Sequence, residues 1–135
     1  MKKFLIFSLV VTVFSGCSLF YTQGFNTYFW TSTEGSKVYL YIDGENKGVL
    51  PYLPAGPDCD NEELKKQTLM IHLPSATYDI SVKDSLQQLL YGEELTVRRN
   101  NGSLTLSNKS TFKHGGSRRV FKDSCLIEEL FYEQR

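Results

Sequence analysis

Along Ser36-Lys37-Val38-Tyr39-Leu40-Tyr41-Ile42 the side chains alternate, Val38, Leu40 and Ile42 on one face and Tyr39 and Tyr41 on the other. A period of two predicts a strand, either covered on both sides or half-buried behind an aromatic outer face. Asp43-Gly44-Glu45-Asn46 follows as a turn, with Gly44 able to take φ > 0. Lys47 to Leu50 returns as a second strand, which Pro51 and Pro54 end. The pattern also predicts strands over Thr68 to Leu73 and Tyr78 to Val82, separated by a Pro74 to Thr77 turn, with Tyr78, Ile80 and Val82 inward. Glu94 to Val97 and Ser103 to Leu106 alternate as well, and Asn101-Gly102 between them is a hairpin signal. Lys83 to Leu90 fits either a bulged strand or a helical turn. The expected fold class is all-β: a small antiparallel β-sandwich over residues 36–110.

Three stretches are patterned differently. Asn26 to Ser32, in an aromatic-rich segment with Phe20, Tyr21, Phe25, Tyr28, Phe29 and Trp30, reads as a first core strand. The other reading of these rings is a place at a membrane headgroup boundary, where Trp and Tyr are comfortable. Pro54 to Lys66 reads as a solvated loop, with Asp60 or Asn61 able to cap one helical turn. The C-terminal segment, 111–135, is expected to pack on the domain as a loop and short helix. Phe112 to Arg119 reads as an exposed loop. Val120, Ser124, Ile127 and Phe131 fall on one helical stripe, and a strand over Arg118 to Phe121 is the alternative.

The first residues set the cell biology. Met1-Lys2-Lys3 is basic, Phe4 to Phe14 is apolar except for Ser8 and Thr12, and small residues Ser15-Gly16 precede Cys17. The run is too short to span a bilayer, which takes roughly 20 residues for about 30 Å of hydrocarbon. It has the order of a secretory signal: charged region, apolar region, small-residue cleavage site. With a cysteine directly after Ser15-Gly16, it resembles the lipobox of bacterial lipoproteins. That resemblance implies a signal peptide over 1–16, a diacylglycerol on the Cys17 sulfur, and a lipidated N-terminal segment over 17–35. Acyl chains add about 0.8 kcal/mol per buried CH₂, and two or more hold a protein stably on a membrane. Ser18, where an inner-membrane retention signal would be Asp, implies an outer-membrane anchor facing the periplasm.

A second resemblance covers residues 36–82. Val38 to Gly44, Gly48, Pro51, Leu73-Pro74 and Tyr78 to Val82 look like the PEGA domain family. That family is a small β-sandwich of bacterial envelope proteins with no catalytic residues of its own. The resemblance implies a fold and does not assign an activity.

Charge narrows the partners. The chain carries 15 Lys+Arg and 15 Asp+Glu, and loss of Lys2 and Lys3 with a signal would leave it slightly acidic. No basic field is present to hold nucleic acid. With Cys17 acylated, Cys59 and Cys125 remain as a pair in an oxidising compartment. A disulfide is the favoured reading, and two free buried thiols are the alternative. No cofactor is implied. The histidines, His72 and His114, have no cysteine at zinc-ligand spacing, and Asp58, Asp60, Glu62 and Glu63 lack the glycine of a calcium loop.

Candidate chemistry is thin. His72 lies in an apolar strand, whereas His114 in a Gly-rich stretch is the better base candidate. Gly115-Gly116-Ser117-Arg118-Arg119 could hold an anion on backbone amides and two guanidiniums, against the plain reading of a solvated loop. Glu93-Glu94 and Glu128-Glu129 are sequence neighbours, which point to opposite faces of a strand and so make no glycosidase pair. The expectation is a lipid-anchored envelope binding or structural module without catalytic activity, meeting an envelope protein or wall glycan through a sheet edge or the Tyr39/Tyr41 face. His114, Arg118 and Arg119 are further binding candidates. The alternative is a periplasmic inhibitor or assembly factor working through the loop His114 to Arg119 or Asp58 to Glu63.

Overall fold

A computed structural model describes residues 25–100, 103–110, 114–122 and 125–133, with the side chains at 99–100 and 103–105 outside that description. The expected signal segment, Cys17 and the hairpin turn expected at Asn101-Gly102 therefore lie outside the described residues. Within them the chain is a β-sandwich of two sheets.

One sheet has the order β4-β1-β9-β8, built from β1 (Phe25–Thr31), β4 (Leu69–Leu73), β8 (Gly115–Lys122) and β9 (Cys125–Tyr132). The other has the order β3-β2-β5-β6-β7, from β2 (Val38–Ile42), β3 (Glu45–Val49), β5 (Ala76–Asp84), β6 (Leu89–Asn100) and β7 (Ser103–Ser110). Neighbours are antiparallel except β1 and β9, which run parallel from Asn26 opposite Cys125 to Thr31 opposite Leu130. The alternating residues meet between the sheets: Phe25 and Phe29 of β1, Val38, Leu40 and Ile42 of β2, Ile80 and Val82 of β5, Leu95 and Val97 of β6, and Leu126 and Leu130 of β9.

Local chemistry sets the connections. Asp43 (φ 51) and Gly44 (φ 81) form a two-residue turn with Ile42 opposite Glu45, and both backbones occupy the left-handed region that a twisted hairpin of this length favours. The Asp43 carboxylate also accepts from the Asp79 N–H at 2.9 Å, tying the turn to β5. Gly48 (φ 121) follows a register shift in β3, where a β-bulge favours glycine. Beyond β3 the chain crosses between sheets: Leu50 N–H reaches the Val38 carbonyl at 2.9 Å, and Thr31 N–H reaches the Pro51 carbonyl at 2.9 Å. Lys83 to Leu90 resolves into the end of β5, a tight turn with Gln87 at φ 67, and the start of β6. The Asp84 carboxylate organises that turn by accepting from Leu86 and Gln88 N–H, each at 2.9 Å.

Two expectations are corrected. Among its described residues the C-terminal segment, 111–135, holds neither the expected exposed loop nor the short helix. Its described residues form β8 and β9, half of one sheet, with Val120 opposite Ile127. Arg118 to Phe121, the alternative strand, lies inside β8. Pro54 to Lys66 is only partly solvated. Leu53 packs with Trp30 and Ile127 as a second apolar cluster on the outer side of the β4-β1-β9-β8 sheet, with Tyr28, Cys59 and Cys125 around it. A Cβ on Gly56 would lie 3.3 Å from the Trp30 ring, so the loop passes close over the indole. Asn61 caps α1 (Glu62–Lys65), its side chain accepting from Leu64 N–H. Cys59 and Cys125 are bridged, with their Cα atoms 6.0 Å apart. The described part of the aromatic segment is thus strand β1, with Phe25, Phe29 and Trp30 buried inside the protein, while Phe20 and Tyr21 lie outside the described residues.

Candidate functional site

Strand β6 sends Tyr91, Glu93, Leu95 and Val97 inward, and β9 sends Leu126, Glu128, Leu130 and Tyr132 inward. Each strand thus places one glutamate in an otherwise apolar or aromatic row. Glu128 is fully buried and Glu93 is 4% exposed. They belong to opposite sheets, and both lie beside the same guanidinium, that of Arg119.

The cation for this pair comes from β8. Arg119 stands opposite Glu128, its Nε donating to Glu128 Oε2 at 2.7 Å and its Nη2 lying 3.8 Å from Glu93 Oε2. Glu93 Oε2 also accepts from Tyr91 OH at 2.9 Å, Ser117 Oγ at 2.7 Å and Asn108 Nδ2 at 3.2 Å. Asn108 Nδ2 is 3.1 Å from Ser117 Oγ as well, so this network stitches β7 of one sheet to β8 of the other. Burial, with the charge of Glu93, holds the Glu128 carboxyl well above the usual carboxylate range, and Arg119 opposes the shift. Burial likewise pushes the Tyr91 phenol up to about 12, helped by Glu93.

Glycine lets β8 approach. A Cβ on Gly115 would stand 2.8 Å from the Phe131 carbonyl and 2.9 Å from the Tyr91 ring, and one on Gly116 would stand 2.7 Å from the Phe131 ring. The anion-cradle reading of Gly115 to Arg119 is corrected accordingly. The stretch is strand, and Arg118 and Arg119 point to opposite faces. Arg118 lies on the outside over the Phe131 ring at 4.8 Å, with Nη1 3.5 Å from Glu129 Oε2. His114 is exposed and pairs with Glu133 at 3.4 Å. His72 is exposed too, its Nδ1 2.9 Å from Asn26 Oδ1. The five binding candidates therefore do not converge: Arg119 faces inward, while Arg118 is on the outside of one sheet and Tyr39 and Tyr41 are on the outside of the other.

The outer face of the β3-β2-β5-β6-β7 sheet is the surface the sequence pointed to. Tyr41 is nearly buried beneath Lys83, whose Nζ is 4.5 Å from the ring centroid, and its hydroxyl donates to Gln87 Oε1 at 3.0 Å. Tyr39 lies between Val49 and Lys83 in register. The two sheets thus differ on their outer sides. The disulfide-bearing loop packs on one, whereas on the other Tyr39, Ser81, Lys83 and Thr96 are half-buried and Lys109 is exposed.

Sequence reasoning missed the Glu93–Glu128 pair. It held each glutamate against its chain neighbour, whereas the partner comes from the other sheet. A signal was present in β6, since Glu93 shares the parity of Leu95 and Val97.

No family model matches the chain, and no curated protein matches it. Among solved structures it is similar to Abundant Perithecial Protein (APP) from Neurospora crassa, with 19% identity and a TM-score of 0.46. The likeness covers 79% of this chain and 53% of that one, so the chain spans about half the length of that protein.

Proposed function

We propose that this chain is a lipid-anchored binding or structural module of the bacterial cell envelope, held to the outer membrane through Cys17 and without catalytic activity of its own. The observation that carries the reading is the Cys59–Cys125 bridge, which pins the loop over Trp30 to β9. A structural disulfide persists in an oxidising compartment, and a signal segment ending at Gly16 would deliver the chain to one. The working surface is the outer face around Tyr39 and Tyr41, meeting an envelope protein or wall glycan. The half-buried Tyr39 ring, with the Lys83 ammonium in register beside it, suits either, through stacking and hydrogen bonding.

The alternative, an inhibitor or assembly factor acting through an exposed loop, has less support. Gly115 to Arg119 of one candidate loop is strand. The other is crosslinked at Cys59 and held by Lys122 Nζ, 2.7 Å from Asp60 Oδ2.

The test is fractionation with a binding readout. Wild-type chain should sediment with outer membranes and Cys17→Ala should not. Tyr39→Ala should keep the membrane location and lose a stoichiometric envelope partner or purified wall glycan. Wild-type chain found wholly in the soluble fraction would overturn the anchor. Unchanged binding by Tyr39→Ala would overturn the assigned face.

A further inference from the structure

Glu93 and Glu128 present an accounting problem inside the sandwich. Oε2 of each is satisfied: Glu128 Oε2 by Arg119, and Glu93 Oε2 by Tyr91, Ser117 and Asn108. Oε1 of each is buried and meets no donor. Two ionised carboxylates would face one guanidinium, leaving a surplus negative charge and two buried acceptors without hydrogens. A buried group in that position neutralises.

We propose that Glu93 and Glu128 hold one proton between them and form a pH-sensitive latch joining the two sheets where β6 faces β9. The proton on Glu128 Oε1 turns that atom into a donor toward Glu93. Arg119 then balances the single remaining charge. The groups facing the pair are Tyr91 from β6, Asn108 from β7, and Ser117 and Arg119 from β8. Arg118 and Glu129, on the outside of β8 and β9, pair with each other.

The sign of the pH dependence follows from the direction of the shift. A carboxyl raised in the folded state contributes stability that is complete below its ordinary value, near 4.5, and is lost as pH rises through the raised value. Acid therefore closes the latch. Above the raised value a second buried charge appears, and the seam where Asn108 meets Ser117 is the part that loosens. Such a device fits a fold that works outside the cytoplasm, although it does not depend on the anchor.

Carbon-13 NMR titration of the glutamate carboxyls in the full chain tests it, beside urea unfolding as a function of pH. One glutamate should titrate well above the others in the wild type, and Glu93→Gln should return that titration toward the ordinary range. The wild-type urea midpoint should fall as pH rises above about 4.5. Glu128→Gln, whose amide donates at every pH, should flatten that fall. If all glutamates titrate in the ordinary range, the pair shares no proton. The same wild-type slope in Glu128→Gln would also overturn the proposal. The wild-type titration needs no variant, so it decides the matter even where a substitution prevents folding.

Discussion

Arg119 stands opposite Glu128 across the β8–β9 pair, with its Nε 2.7 Å from the Glu128 carboxylate and its guanidinium mostly screened from water. This edge-strand cation is the partner of a buried acid in the next strand. Arg119→Ala should leave the remaining charge of the Glu93–Glu128 pair without a cation and destabilise the fold by about 3–5 kcal/mol. Arg118→Ala, on the exposed side of the same strand, should cost about 1 kcal/mol or less. Urea unfolding of the two variants checks the contrast.

The disulfide prediction has a built-in reporter. Trp30 is the one tryptophan of the chain and lies under the loop that Cys59 anchors. Replacing Cys59 and Cys125 with Ala should cost about 2–4 kcal/mol. The Trp30 emission should shift to the red as the loop lifts, and protease should cut between Pro54 and Lys66. Unchanged emission after reduction would mean that the loop stays down without its bridge.

Alkaline titration should single out Tyr91. Its phenol, raised to about 12 mainly by burial, contributes stability that is complete below pH 10 and lost as pH rises through about 12. Ultraviolet difference titration should show a late-ionising tyrosine that is absent in Tyr91→Phe. That variant also removes a donor to Glu93 and should cost about 1.5–3 kcal/mol.

Crowding at the start of β8 gives a steric test. Gly115→Ala meets the Phe131 carbonyl, which is backbone and cannot rotate aside, and should cost about 1–3 kcal/mol. Gly56→Ala meets only the edge of the Trp30 ring at 3.3 Å and should cost less. Thermal melts of the pair give the ranking.

How far the sequence could be read depended on whether a strand had one covered face or two. β2 alternates cleanly and leads into Asp43-Gly44, so both strand and turn were legible. β9 was not. Its inner row carries Glu128 among Leu126 and Leu130, and its outer row carries Ile127 beneath the disulfide-bearing loop. A strand covered on both sides, and paired in parallel with β1, loses the period of two, so Val120 to Tyr132 suggested a helical stripe. Leu53 and Cys59 were hard to place for a related reason: a loop rich in Pro, Asp and Glu gave little sign that its apolar residues would seal Trp30. The Glu93–Glu128 pair joins residues from different sheets, and no spacing along the chain announces such a meeting. Tyr39 was legible as outward-facing, while the Lys83 that covers Tyr41 came from a stretch with two readings.

The anchor is the claim from which location and partner both follow, and fatty-acid incorporation tests it most directly. Cells grown with labelled palmitate should yield a labelled wild-type chain, with the label on the N-terminal peptide that begins at Cys17. Cys17→Ala should remain uncleaved and unlabelled. A wild-type chain that keeps residues 1–16, or is cut without taking up label, would contradict the account.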